Sequence, residues 1–123
     1  MKVLLSIKPE FADKIFSGEK KFEFRRAIFK DRSVKTVLVY ASAPIQKVIG
    51  EFEIEDIICE DIETLWKTTQ FHAGITYDYF VTYFEGKKQG FAIKIKSRKK
   101  FKNARCIKKD YNLAPPQSFA YVH

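Results

Sequence analysis

Gly18-Glu19-Lys20-Lys21-Phe22-Glu23-Phe24-Arg25-Arg26 sets four cations and two carboxylates on nine residues, where a helical pattern gives way to an extended one. Upstream, residues 2–7 form a short apolar run suited to a buried strand. Pro9 fits the first position of a helix, and Glu10 and Asp13 complement its amino-terminal dipole. Phe11, Ala12 and Ile15 line one face of a helix over about 9–17, and Gly18 is placed to end it. The order strand, helix, glycine, strand therefore fixes the charged strand at the carboxyl end of the helix. Alternation in that strand puts Phe22 and Phe24 on a core face and Lys21, Glu23 and Arg25 on a face that shows charge outward. Lys20 falls off this parity, and its place just after the helix lets its amine swing over the rim of the sheet toward Glu23 and Arg25. A carboxylate between two cations stays ionised and holds both, which makes an ordered cationic site for a phosphate or a polarised base. The competing reading is a solvated strand face with cross-strand ion pairs.

Working outward, residues 27–33 read as a loop and 34–40 as a strand, broken at Ser42-Ala43-Pro44. A long strand follows over 47–57, with Val48, Phe52, Ile54 and Ile57 apolar and Glu51, Glu53 and Glu55 alternating with them. Gly50 within it predicts a bulge or bend. Asp61 suits the cap of a helix over 62–67, and residues 67–74 form a loop carrying His72. Thr76 suits the cap of a helix over 77–85 whose aromatics, Tyr79, Phe80, Tyr83 and Phe84, read as core. Gly86 ends that helix and 90–96 return to strand. Residues 97–109, cationic with Phe101, Ala104, Cys106 and Ile107 among them, predict a further strand or one broken at Asn103. Five or six short, mostly antiparallel strands with two or three helices between them give an α+β domain with a curved sheet, one domain over 1–123.

The net charge of +8 is regional: residues 86–109 carry 11 Lys or Arg and no acid. A one-signed patch concentrates polyanions, so nucleic acid is a more natural partner than a small metabolite. The rival view is a soluble basic face with no dedicated partner. Cys59 and Cys106 lie far apart without ligand-like spacing and read as free thiols, and neither they nor His72 and His123 form a metal set. No cofactor is expected, since a Walker-type loop and a dinucleotide fingerprint are both absent. No apolar run approaches a membrane span and no signal-peptide core is seen, so the expected location is the cytoplasm, with no membrane partner.

Gly18, Lys20, Glu23 and Arg25 spell G-x-K-x-x-E-x-R, which resembles the signature of the ASCH family, domains with a PUA-like β-barrel. Leu4 through Arg26, Ile49-Gly50-Glu51-Phe52, Gly74-Ile75-Thr76, Gly90-Phe91-Ala92-Ile93 and Pro115-Pro116-Gln117-Ser118-Phe119 are similar to small bacterial, archaeal and phage ASCH proteins labelled predicted transcriptional regulators. The resemblance implies RNA or a modified nucleoside bound in a cleft lined by Lys20, Glu23 and Arg25. One branch removes the acetyl group of N4-acetylcytidine with a Lys and a Thr of this motif. Here those positions are Lys20 and Glu23, and a carboxylate is a poor substitute for a hydroxyl nucleophile, although it can act as a base on water. Another ASCH protein is reported to cut RNA.

Two functions follow, beside a third possibility, an interaction domain that meets a partner protein with its basic face. The first is a binding module for RNA or a nucleoside, DNA being a further possibility, built on Lys20, Lys21, Glu23, Arg25 and Arg26, with Lys99, Lys100, Lys102 and Arg105 tracking the backbone and Gln117 and Ser118 contributing from the carboxyl segment. Tyr40, Tyr77 and Tyr121 are candidates for stacking on bases. The second is an enzyme, a nucleoside hydrolase or ribonuclease, with Lys20 and Glu23 catalytic and Arg25 holding the anion. There Lys20 needs a lowered pKa, for which nearby Arg25 and Lys21 are the expected cause, and His72 is a further proton donor to test.

Overall fold

The computed structural model describes all 123 residues. β1 (Lys2–Ile7) leads into α1 (Pro9–Ser17), which ends at Gly18 in the left-handed conformation, φ 88°, with its N–H on the Ile15 carbonyl. β2 (Phe22–Arg25) follows at once, then β3 (Thr36–Ala41) and β4 (Lys47–Asp61). Asp61 caps α2 (Ile62–Thr69) through the Thr64 N–H, and a 3-10 turn (Gln70–His72) leads to α3 (Tyr77–Tyr83), capped by Thr76 through the Tyr79 N–H. β5 (Gln89–Arg105), α4 (Ile107–Tyr111) and β6 (Phe119–Val122) complete the chain.

The basic stretch is not a separate strand, but its pairing is broken around Asn103: Gly50 pairs with Lys100 and the next pair is Val48 with Arg105, so residues 101–104 have no partner on β4. It is the second half of β5, which extends to Arg105 and pairs with β4 from Asp61↔Gln89 to Gly50↔Lys100 and once more at Val48↔Arg105. Two strands of this length do not stay flat. Register slips at Val48/Gly50, Glu53/Ile54 and Ile54/Asp56 let the pair bend. Gly50 sits at the first of these, where a Cβ would lie 2.5 Å from the Phe16 ring and 2.7 Å from the Lys99 carbonyl oxygen. Only a glycine lets the sheet close down on α1 there.

The sheet order is β2-β5-β4-β3-β1-β6, with β1 and β3 the one parallel pair. Curling buries both of its faces. Val3, Leu5, Val37, Val39, Phe52, Ile93 and Ile95 fill the concave side. On the convex side, Phe22, Phe24 and Ala92 lie under Leu65, Phe80 and Phe84 of the α2–α3 region, while Leu4, Leu38, Tyr40 and Val48 lie under Ile107 of α4. Four helices cover the sheet, more than the two or three expected, and the barrel is not closed by backbone pairing, since β2 and β6 remain its two edges.

Candidate functional site

The parity read from β2 holds, but its sense is reversed. Phe22 and Phe24 point outward beneath the helices, and Glu23, opposite Ile93, turns to the concave side. The charged set is therefore buried: Lys20 is 2%, Glu23 6% and Arg25 9% exposed. A solvated strand face with surface ion pairs does not describe them. A strand covered on one side by helices places its alternate residues inside the curl, whatever their polarity.

These side chains meet where the sheet fails to close. The Lys21 carbonyl accepts from the Ile95 N–H of β5, so by alternation the Phe24 carbonyl faces the free side, where it accepts from the Tyr83 hydroxyl at 3.1 Å. Arg25 crosses the seam in place of a backbone ladder. Its Nη2 donates to the Ser118 carbonyl at 3.0 Å and to Ser118 Oγ at 2.9 Å, and its Nη1 to the Ser6 carbonyl at 3.4 Å and Glu23 Oε2 at 3.3 Å. Above this latch lies a cleft of about 220 Å³. Its ionic wall is Lys20, Glu23 and Arg25; its aromatic wall is Phe11, Tyr79 and Tyr83; Ser6, Ile7, Lys8, Phe24, Ile75 and Gln117 complete the lining.

Lys20 is held on all sides. Its Nζ donates to the Ala73 carbonyl at 2.7 Å and stands 4.7 Å from the Phe24 ring centroid and 5.5 Å from that of Phe11. Gly74, at φ 69°, passes so close that a Cβ there would be 2.6 Å from the Cβ and Cγ of Lys20. Lys14 Nζ donates to the Gly74 carbonyl at 3.1 Å and fixes the same turn. Burial is the main force that lowers the Lys20 pKa to about 8; Lys14 adds to it and Glu23 opposes it. The lowered pKa expected of a catalytic lysine is present, but its cause is desolvation rather than repulsion from Arg25 and Lys21. Burial likewise raises the pKa of Tyr83.

The structure thus brings together Lys20, Glu23, Arg25 and Gln117 in the cleft, with Ser118 behind Arg25. It leaves the other cations outside. Lys21 and Arg26 are exposed, Arg26 donating to the Glu85 carbonyl at 3.3 Å. Lys99, Lys100, Lys102 and Arg105 are exposed along the second half of β5, where Arg105 lies 3.7 Å over the Phe101 ring and donates to the Tyr111 hydroxyl at 2.9 Å. Tyr40 is buried in the core under α4 and has no free face for stacking. Tyr121 is half-buried with its hydroxyl accepting from the Asp31 N–H, and Tyr77 is exposed but leans edge-on against Trp66. The His72 side chain is exposed and lies outside the cleft lining; its backbone carbonyl accepts from the Lys21 N–H at 2.9 Å.

Sequence reasoning missed the aromatic wall. Phe80 and Phe84 are core as expected, but Tyr79 and Tyr83, one turn apart on α3, line the cleft. Their hydroxyls were the available signal, because a tyrosine packed against a core needs a polar edge for its oxygen.

The family model described as the ASCH domain matches residues 5–108. An ASCH domain-containing ribonuclease of Zymomonas mobilis is 32% identical over 122 residues, which cover 97% of this chain and 82% of that protein. The large ribosomal subunit protein uL22 of Ureaplasma parvum is 27% identical over 98% of this chain, although that match spans only 39% of its own length. The crystal structure of ASCH from Zymomonas mobilis superposes with a TM-score of 0.89 at 31% identity, covering 99% of this chain and 87% of that one. A single-substitution variant of the same protein gives 0.90 at 29% identity, covering 99% and 90%.

Proposed function

The chain belongs to the ASCH domain family, with the PUA-like α+β fold of its solved relatives, and from that premise we propose that it binds RNA or a nucleoside in the cleft at the open seam. The observation that carries this reading is the buried ammonium of Lys20, beside an ion pair and across from an aromatic wall, in a space suited to one nucleoside. The two walls answer the two halves of such a ligand. Tyr79 and Phe11, packed edge to face, offer aromatic surface to a flat ring, while Lys20 offers a donor and Glu23 an acceptor to a base edge or phosphate; Arg25, its Nη hydrogens taken by Ser6, Glu23 and Ser118, adds its charge. The exposed cations Lys99, Lys100, Lys102 and Arg105 would follow a longer strand without reading its sequence, and Lys21 and Arg26 would extend the charge around the rim.

A second reading is RNA cleavage. It is favoured by the ribonuclease named among the relatives and by the lowering of the Lys20 pKa to about 8 by burial. In this scheme the Glu23 carboxylate takes the proton of a ribose 2′-hydroxyl. The 2′-oxygen forms a bond to the adjacent phosphorus, the bond to the 5′-oxygen breaks, and the Lys20 ammonium delivers its proton to that leaving oxygen. A lysine acid must be charged, so cleavage would decline as pH rises through about 8. The hydrolase of a modified nucleoside is the less favoured enzyme, because no threonine stands at the position of Glu23.

The deciding experiment is a salt titration of binding to labelled single-stranded RNA by the native protein and Lys20→Met, with the RNA then run on a gel. Salt-sensitive binding of intact RNA, weakened by the substitution, supports a recognition module. RNA that is cut by the native protein and spared by the variant makes Lys20 part of a ribonuclease site. Equal binding by both proteins, with the RNA intact in each, overturns the cleft as the site.

A further inference from the structure

Phe71 is the most exposed large apolar residue of the molecule, with 85% of its surface open to solvent. It does not sit on a loose loop. The turn that carries it is tied to the start of β2 at three successive positions: the His72 carbonyl accepts from the Lys21 N–H at 2.9 Å, the Ala73 carbonyl holds the Lys20 ammonium at 2.7 Å, and Gly74 packs on the Lys20 methylenes. Phe71 is two residues from Ala73, so its Cα lies within about 7 Å of the Cα of the residue that anchors Lys20. Lys21, bonded through its backbone to the same turn, is exposed and makes no side-chain ion pair or hydrogen bond. A solvated phenyl ring carried by a turn whose backbone is tied to Lys20 and Lys21, with the Lys21 ammonium unpaired, is poor protein core. It is a suitable landing for a base with its phosphate.

We propose that Phe71 and Lys21 form a second subsite, in which the ring stacks on the base neighbouring the nucleotide held in the cleft and the ammonium meets the phosphate between them. This rests on the cleft reading and adds to it a direction, the strand leaving the cleft across the 3-10 turn. It also adds a substrate class: single-stranded RNA of at least two nucleotides, in preference to a free nucleoside. Stacking tolerates any base, so the subsite contributes affinity and a path for the strand without sequence choice.

The test compares a fluorescein-labelled random-sequence hexaribonucleotide pool with a mixture of the four nucleoside 5′-monophosphates. Both are measured against the native protein, Phe71→Ala, Phe71→Trp and Lys20→Met. The expected result is hexamer binding about tenfold weaker in Phe71→Ala with monophosphate binding unchanged, and affinity kept in Phe71→Trp with its added indole emission quenched by the hexamer. Hexamer binding by Phe71→Ala equal to native, while Lys20→Met has lost it, overturns the subsite and leaves the cleft standing. Monophosphate binding that falls in parallel makes Phe71 merely structural and also overturns it. So does a native protein that self-associates in light scattering through Phe71, since the ring would then be covered by a second copy. If Lys20→Met binds the hexamer like the native chain, the cleft reading fails and the subsite with it.

Discussion

Lys20 and Lys100 are the same residue type, each beside further cations, and the structure treats them in opposite ways. Lys20 is sealed between Gly74, Phe24 and Phe11 at the mouth of the curled sheet, while Lys100 stands exposed on β5 among Lys99 and Lys102. The exposed row costs the fold almost nothing. The buried one is expensive, because shifting a lysine from 10.5 to about 8 corresponds to about 3 kcal/mol against its charged form. A cation that a fold keeps at that cost marks a site, whereas a row of solvated lysines marks a field.

The contrast is broken most severely through Arg25. Arg25→Ala removes the donors to Ser118 and Ser6 and leaves Glu23 without its partner, and a loss of about 3 kcal/mol is expected from urea midpoints. Lys20→Met should act in the other direction. The native ammonium carries its full penalty below pH 8; between about 8 and 10.5 the unfolded chain holds the proton more firmly than the folded one, and native stability rises. The methionine variant should be about 2 kcal/mol more stable than native at pH 7, after the Ala73 carbonyl loses its donor, with the gap narrowing from pH 8 upward. Paired denaturation curves at pH 7 and pH 10 check this, and a constant gap would place the Lys20 proton elsewhere.

Gly74→Ala tests whether the turn really encloses Lys20. The positive φ and the collision with the Lys20 methylenes predict a loss of about 2 kcal/mol, with the cleft disturbed as well. The smallest stability effect belongs to the ridge. Changing Lys99, Lys100 and Lys102 together to Gln should leave stability within about 0.5 kcal/mol of native and flatten the log–log salt dependence of RNA binding by about 2. An unchanged salt slope would remove the ridge from the RNA path.

Much of the fold was legible because it rests on local chemistry. Pro9 and Gly18 bracket α1, Asp61 and Thr76 cap the next helices, and Gly50 bends β4, each for a reason carried by the residue itself. The G-x-K-x-x-E-x-R cluster was legible as a cluster, since spacings within eight residues survive folding. Its burial was not. Alternation states that Glu23 and Phe24 face opposite ways but not which way is in, and here α2 and α3 claim the aromatic side from forty residues downstream. The aromatic wall and the Ser118 latch are tertiary facts of the same kind. The interruption at Asn103 was legible in the weak strand former itself, whereas the return of β5 to β4 at Val48↔Arg105 is a tertiary pairing that local pattern does not show.

The Arg25 latch also sets a schedule. Lys20, Glu23 and Arg25 leave the ribosome early, but the groups that anchor Arg25 and complete the cleft, Gln117 and Ser118, are made more than ninety residues later. A nascent chain arrested before residue 118 lacks the closing wall, so the cleft is completed late in translation and not in proportion to the length made.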